Sequence, residues 1–245
     1  MKFYPKEFFR LQIEFAMFLS EQHNYDLPHA MFLFTSLYVR IIGYSEDDFP
    51  EEQHRNWTML IQNMPLQNIN TITDYFYENY YAVEIENARC PDVSSMNCFS
   101  YHYHQRLNMY ELHFSPNDSK GNLTKGRKTK RLEELKSMFR EIKKNNIHNA
   151  KDFFTKTWLL NINSFNRLFP DEFSSKARLW ERICFQENVY WGQFVDRKKN
   201  LDYKVVQQFK ENYLNGEYSD PRLYFPFPAW YSQLELEEFY RFYGI

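Results

Sequence analysis

The sequence predicts an α+β protein, with a helical N-terminal third packed on a mixed, mostly antiparallel sheet. Two observations predict it. Up to Ala82 the apolar residues recur mostly at spacings of three and four, the period of a helix with one buried face. Beyond Asn87 the pattern becomes alternating, most clearly over residues 99–104 and 109–114, and helical segments then interrupt the strands.

In the first third, residues 6–22 place Phe8, Phe9, Leu11, Ile13, Phe15, Phe18 and Leu19 largely on one stripe, with Gln12, Glu14 and Glu21 off it. Asp26-Leu27-Pro28 supplies an N-cap and an early helical proline for a second helix reaching Ile42, whose apolar residues cover more than one face. Residues 47–52 put acids at the positive end of a third helix that runs towards Met64. A fourth, over residues 68–82, carries Ile72, Tyr75, Phe76 and Tyr80 at helical spacing. A hairpin follows, its strands joined by Gln105-Arg106-Leu107-Asn108. Residues 115–128 form a polar loop, and residues 129–144 an amphipathic helix with Leu132, Leu135, Met138, Phe139 and Ile142 on one face. Residues 152–160 are expected as a strand, 164–169 as a short helix stopped near Pro170, and 177–185 and 189–195 as two further strands. A helix over 201–214, an extended segment after Asp220-Pro221 and a closing helix over 235–243 complete the order. The change of period divides the chain into a helical subdomain, residues 1–87, and an α+β subdomain, residues 88–245. No repeat or low-complexity linker separates them.

Composition narrows the function classes. Of 245 residues, 43% are apolar and 25% charged, the balance of a folded chain. Thirty Lys and Arg against 32 Asp and Glu leave a net charge of -2, so the chain is not basic overall and a nucleic-acid partner is not expected. The six glycines stand too far apart for GxGxxG or a Walker loop, which excludes ordinary dinucleotide and P-loop sites. The sequence has neither a GxSxG elbow nor an HExxH helix, so serine-hydrolase and zinc-protease readings lack their motifs. Cys90, Cys98 and Cys184 show no CxxC or Cys/His ligand spacing and no histidine tied to them as a base. A disulfide framework, a structural zinc site and a cysteine nucleophile are therefore not expected. The first residues, broken by Arg10, Gln12 and Glu14, lack the apolar core of a signal peptide. The longest apolar window, residues 30–42, contains Thr35, Ser36 and Arg40 and falls short of the roughly 20 residues that span a bilayer. The expectation is a cytoplasmic protein without a membrane span, which a protein exported by a dedicated secretion machine would match equally well.

Three groups of residues could carry function. Lys120, Lys125, Arg127, Lys128, Lys130 and Arg131 crowd the loop and first turn of the amphipathic helix, with no acid between Asp118 and Glu133. Cations there oppose the helix dipole, and an anion at the helix start would reverse the sign. The pattern points to a phosphate-bearing small molecule, against the simpler reading of a solvated loop. His102 and His104 share one face of a strand, and Glu111 lies across the hairpin. Two imidazoles and a carboxylate are the raw material of a metal site, but without a firm third ligand no metal is expected. The aromatic segments 225–231 and 239–243 serve either core packing or a protein partner.

The order of elements from Tyr110 to Val195 resembles the second half of the GNAT N-acyltransferase fold. There a strand leads into a loop and helix whose amides hold the acyl-CoA pyrophosphate, and a splayed strand, a short helix and two further strands follow. Leu112-His113-Phe114-Ser115-Pro116 and Thr157-Trp158-Leu159-Leu160 are also similar to segments of bacterial acyltransferase-like proteins with a helical N-terminal region. The resemblance implies acyl-CoA as ligand, with Lys120, Lys125, Arg127, Lys128, Lys130 and Arg131 on its phosphates. Glu111 or His113, at the end of the strand entering the site, would be the base that deprotonates an amine. Two departures stand beside it. Lys125-Gly126-Arg127-Lys128 is not the family's Gln/Arg-x-x-Gly-x-Gly/Ala loop, and Asn166-Arg167-Leu168-Phe169 holds no hydroxyl where many members place a tyrosine acid. The resemblance thus implies an acyltransferase or a non-catalytic member of that fold. The alternative is an interaction module that uses the aromatic surface and the basic loop.

Overall fold

In the computed structural model, residues 3–43, 51–87, 98–115, 118, 123–181, 185 and 188–245 are described. In chain order the elements are α1 (Lys6–His23), α2 (Leu27–Phe34), α3 (Leu37–Ile41), α4 (Glu51–Gln62), α5 (Ile69–Asn87), β1 (Phe99–His104) and β2 (Met109–Phe114). Then come α6 (Lys128–Asn145), β3 (Asp152–Thr157), α7 (Asn163–Asn166), α8 (Asp171–Ser175), β4 (Arg178–Leu179), α9 (Asn188–Trp191), α10 (Tyr203–Asn215), β5 (Trp230–Glu235) and α11 (Leu236–Tyr243). The fold is α+β, with one five-stranded mixed sheet. No described helix is long and apolar enough to cross a membrane. Lys120, Cys90, Cys184 and the acidic start of the third expected helix, residues 47–50, lie outside the described residues.

Contacts divide the chain into two units, and the division is not a single cut. Met1–Asp92 clusters with Arg182–Pro226, and Val93–Glu181 with Phe227–Ile245. Residues 182–226, which the sequence reading assigns to the sheet subdomain, therefore belong to the helical unit. Aromatic packing is the reason. The Phe15 ring on α1 lies 6.1 Å from Trp191, 4.8 Å from Phe209 and 5.5 Å from Phe225. Trp191 Nε1 donates to the Phe34 carbonyl on α2, and the Phe185 amide donates to the Leu33 carbonyl. Each buried ring removes on the order of 150–250 Å² from water, so this cluster is the main source of cohesion in the unit.

Two sequence expectations are corrected in this unit. The strand expected over 189–195 is helical: α9 is followed by a 3-10 turn over Gly192–Phe194, with Tyr190, Trp191 and Phe194 all fully buried. A short apolar run buried on every side has the same periodicity in either conformation. The helix expected to reach Ile42 is cut into α2 and α3 at Thr35-Ser36. The Gln12 side-chain carbonyl on α1 accepts from both the Ser36 amide and its hydroxyl, at 2.6 and 2.9 Å, and Thr35 turns its hydroxyl to the Met31 carbonyl. The amide that would continue the helix is thereby taken by a side chain distant in sequence.

In the sheet unit the strand order is β1-β2-β3-β5-β4. The hairpin forms over the expected residues, with His102 opposite Glu111. β2 and β3 run parallel, as a strand–helix–strand crossover through α6 requires, while β5 is antiparallel to both β3 and β4. The parallel pairing lasts only from Met109–Asp152 to Glu111–Phe154. Beyond it the backbone pairing stops, and the Thr155 hydroxyl instead donates to the Leu112 carbonyl at 3.3 Å. Of the strand expected over 177–185, whose residues 182–184 lie outside the described ones, the described residues form only the two of β4, which pair with Tyr231 and Trp230. One sheet face packs against α6 and α11. Phe139 lies 4.7 Å from both Phe153 and Phe239, and Leu135, Ile142, Leu112 and Leu234 fill the same core. Alternation along the strands sends the other residues to the opposite face: His102 and His104, Glu111 and His113, Phe154 and Lys156, Tyr231 and Gln233.

Candidate functional site

The start of α6 places the basic residues. Pairing of β2 ends at Phe114, and the chain re-enters helix through a 3-10 turn over Lys125–Arg127. No side chain caps α6, so its first amides are not engaged by one. Half of the cations expected to meet a phosphate turn instead to an internal anion. Asp118, 7% exposed, accepts from Arg131 Nη2 at 2.8 Å and lies 3.3 Å from both Lys130 Nζ and Arg127 Nε. Arg131 is 1% exposed and also lies 3.0 Å from Glu134. A buried guanidinium must be paired in this way, because an uncompensated charge in the interior costs several kcal/mol.

Lys125 and Lys128 make no ion pair among the described residues, and they line a cavity of about 130 Å³ with Arg131, Arg167, Thr124, Ser164, Leu123 and Leu168. Arg167, on the turn after α7, is the addition that sequence reasoning missed. It stands far from the basic run in the chain, and only the β2–α6–β3 crossover brings α7 to this end of the sheet. Two wider hollows, of about 630 and 540 Å³, have rims of different character. The first mixes Lys176, Arg178 and Arg241 with Asp152, Glu172 and Glu238, and the second combines Glu134 and Glu141 with His102 and His148. Of the three, the cavity at the α6 start has the most uniformly positive rim.

The second constellation sits on the open sheet face. Glu111 is buried at its centre. His104 Nε2 lies 2.9 Å and His102 Nε2 3.5 Å from its Oε2, while Lys156 Nζ lies 3.6 Å from its Oε1. His113, two residues further along β2, meets His102 edge to edge, the ring planes within 11° and the centres 4.6 Å apart, with His102 Nδ1 2.5 Å from His113 Nε2. Burial of the ring first, then the neighbouring His102, Lys156 and His104, hold the His113 pKa down at about 4, although its edge remains exposed. The two base candidates therefore come together, but neither is suited to the role. Glu111 is held by surrounding cationic or hydrogen-bonding groups, and His113 is too weak a base for proton abstraction near neutral pH. Neither residue lines the cationic cavity.

The aromatic segments divide between interior and surface: Phe242 is 46% exposed, and Phe227, Trp230 and Tyr231 are half-buried. Tyr224, Phe225 and Ala229 are buried in their respective units, as are Phe239, Tyr240 and Tyr243. Cys98 is buried and forms no disulfide among the described residues. Comparison with protein-family models, with curated proteins and with solved structures finds no match to this chain.

Proposed function

We propose that the sheet unit is a GNAT-like region that binds an acyl-CoA-type ligand, with the phosphates seated in the cavity at the start of α6. The observation that carries this reading is the β2–α6–β3 crossover. Backbone pairing of the two strands stops after three pairs, and the helix between them, capped by no side chain among the described residues, starts beside Lys125, Lys128 and Arg167. An anion there would meet the positive end of the helix dipole and three side-chain cations. α7 then stands where the resemblance wants the short helix and β4 where it wants the first of two further strands, whereas the second, expected over residues 189–195, is helical, and β5 comes only after residues 182–226. At about 130 Å³ the cavity is too small for a whole coenzyme, so the rest of the ligand would lie outside it. The missing hydroxyl between Asn166 and Phe169, and the engaged state of Glu111, favour binding without transfer.

Thermal melting with coenzyme A, acetyl-CoA and inorganic pyrophosphate tests the reading. A ligand present at about 100 times its Kd adds about 2.7 kcal/mol, a shift of a few degrees. The coenzymes should give that shift, and Lys128→Glu with Arg167→Glu should abolish it. A shift with pyrophosphate alone would reduce the site to a generic anion seat, and no shift with any of them would overturn the proposal.

A further inference from the structure

We propose that His102, Glu111 and His113 form a binding site for a divalent transition metal, zinc foremost, with His104 as the residue that orients the carboxylate. The argument is geometric and independent of the acyl-CoA reading. β1 and β2 present the three residues on one face, and one ligand atom from each lies within 4.8 Å of the others. Two imidazole nitrogens and a carboxylate oxygen are the donor set of open zinc and iron sites, and they leave a position for water. Nδ1 of His102 and Nε2 of His113 point at one another across 2.5 Å. An N–H of one ring donating to the other ring's nitrogen accounts for that separation. Metal–nitrogen bonds of about 2.0–2.1 Å in tetrahedral geometry need the nitrogens about 3.3 Å apart. Rotation of the exposed His113 ring supplies the difference without moving the backbone.

The carboxylate has the support that such sites use. Its side chain is 3% exposed, His104 Nε2 lies 2.9 Å from Oε2, and Lys156 Nζ approaches the other oxygen, so its orientation is fixed before a metal arrives. Lys156 competes electrostatically with a metal for Glu111, which places the site among moderate rather than extreme affinities. The neighbourhood of His113 gives an entry path from solvent.

The test uses the full chain, stripped with a chelator and titrated with Zn²⁺ against a chromophoric competitor, then with Co²⁺ read by its visible absorption. One equivalent of Zn²⁺ should bind, and Co²⁺ should give d–d bands that Zn²⁺ bleaches. His102→Ala should weaken binding at least about tenfold. His113→Gln, at an exposed position that folding should tolerate, should do the same if His102→Ala fails to fold. His54→Ala, on the exposed face of α4, should leave binding unchanged. Absence of stoichiometric binding would overturn the proposal. So would binding that survives substitution of both His102 and His113, which would assign the metal to adventitious surface histidines.

Discussion

Among the described residues the helical unit buries Gln12, Thr35, Ser36, Thr73 and Gln193, none of them charged, whereas the sheet unit buries Glu111, Asp118 and Arg131 beside the neutral Thr155 and Ser232. Within the helical unit the interior is a mesh of rings in which Phe15 meets Trp191, Phe209, Tyr213, Tyr224 and Phe225. Its ion pairs, such as Lys210–Glu14, sit nearer the surface. Burying a charge is costly unless it is paired, so a unit that does so three times has accepted a constraint that apolar packing would avoid. The helical unit has the interior of a scaffold, and both candidate sites fall in the sheet unit.

The contrast can be broken by cutting into each interior in turn. Phe15→Ala removes the central ring of the helical unit and should cost about 4 kcal/mol in chemical denaturation, within the range for buried phenylalanine. Arg131→Met leaves Asp118 and Glu134 without their guanidinium and should cost about 3 kcal/mol. Adding Asp118→Asn to that variant should recover part of the loss. A cost below about 1 kcal/mol for Arg131→Met would mean that water already solvates the carboxylates, and the two interiors would then be alike.

A smaller effect sharpens the comparison from the other side. Burial alone would raise the Glu14 pKa, but hydrogen bonds from Lys210 and Arg10, at 2.7 and 2.8 Å, outweigh it and hold the carboxyl below its ordinary value of 4.5. A depressed folded-state pKa contributes stability above the unfolded value, and that stability disappears as pH falls through the lowered one. Glu14→Gln should therefore cost about 1 kcal/mol at pH 7 and progressively less below pH 4.5. A difference from the parent that stays constant from pH 7 to pH 3 would show that the pair acts through packing rather than charge.

Much of the architecture was legible in the chain because it depends on local period. The hairpin, α6 and α11 occupy nearly the expected residues, but the register that sets His102 against Glu111 was open by one residue in the sequence and is fixed only by the pairing. What escaped depends on partners remote in sequence. Gln12 breaks the second helix from another element, and the ring cluster around Phe15 draws residues 188–194 into helix where alternation had suggested a strand. The candidate sites divide in the same way. Lys125 and Lys128 followed from the charge run, but Arg167 needed the crossover and Lys156 needed the third strand to reach their neighbours. The engagement of Asp118 by Arg127, Lys130 and Arg131 leaves no sequence signature, since an acid in a loop carries no period.

The insertion of residues 182–226 between β4 and β5 bears on how the chain must be made. When synthesis has reached residue 181, every strand but β5 exists, yet β5 is the strand that joins β3 to β4. At that moment the helical unit also lacks Trp191, Phe209 and Phe225, the rings that close around Phe15. Both cores thus stay open until the final quarter of the polypeptide emerges, and apolar surface is exposed throughout elongation. Stalled or truncated products would be substrates for holding chaperones and proteases rather than half-folded intermediates, and a pair of fragments cut at residue 87 would yield neither unit.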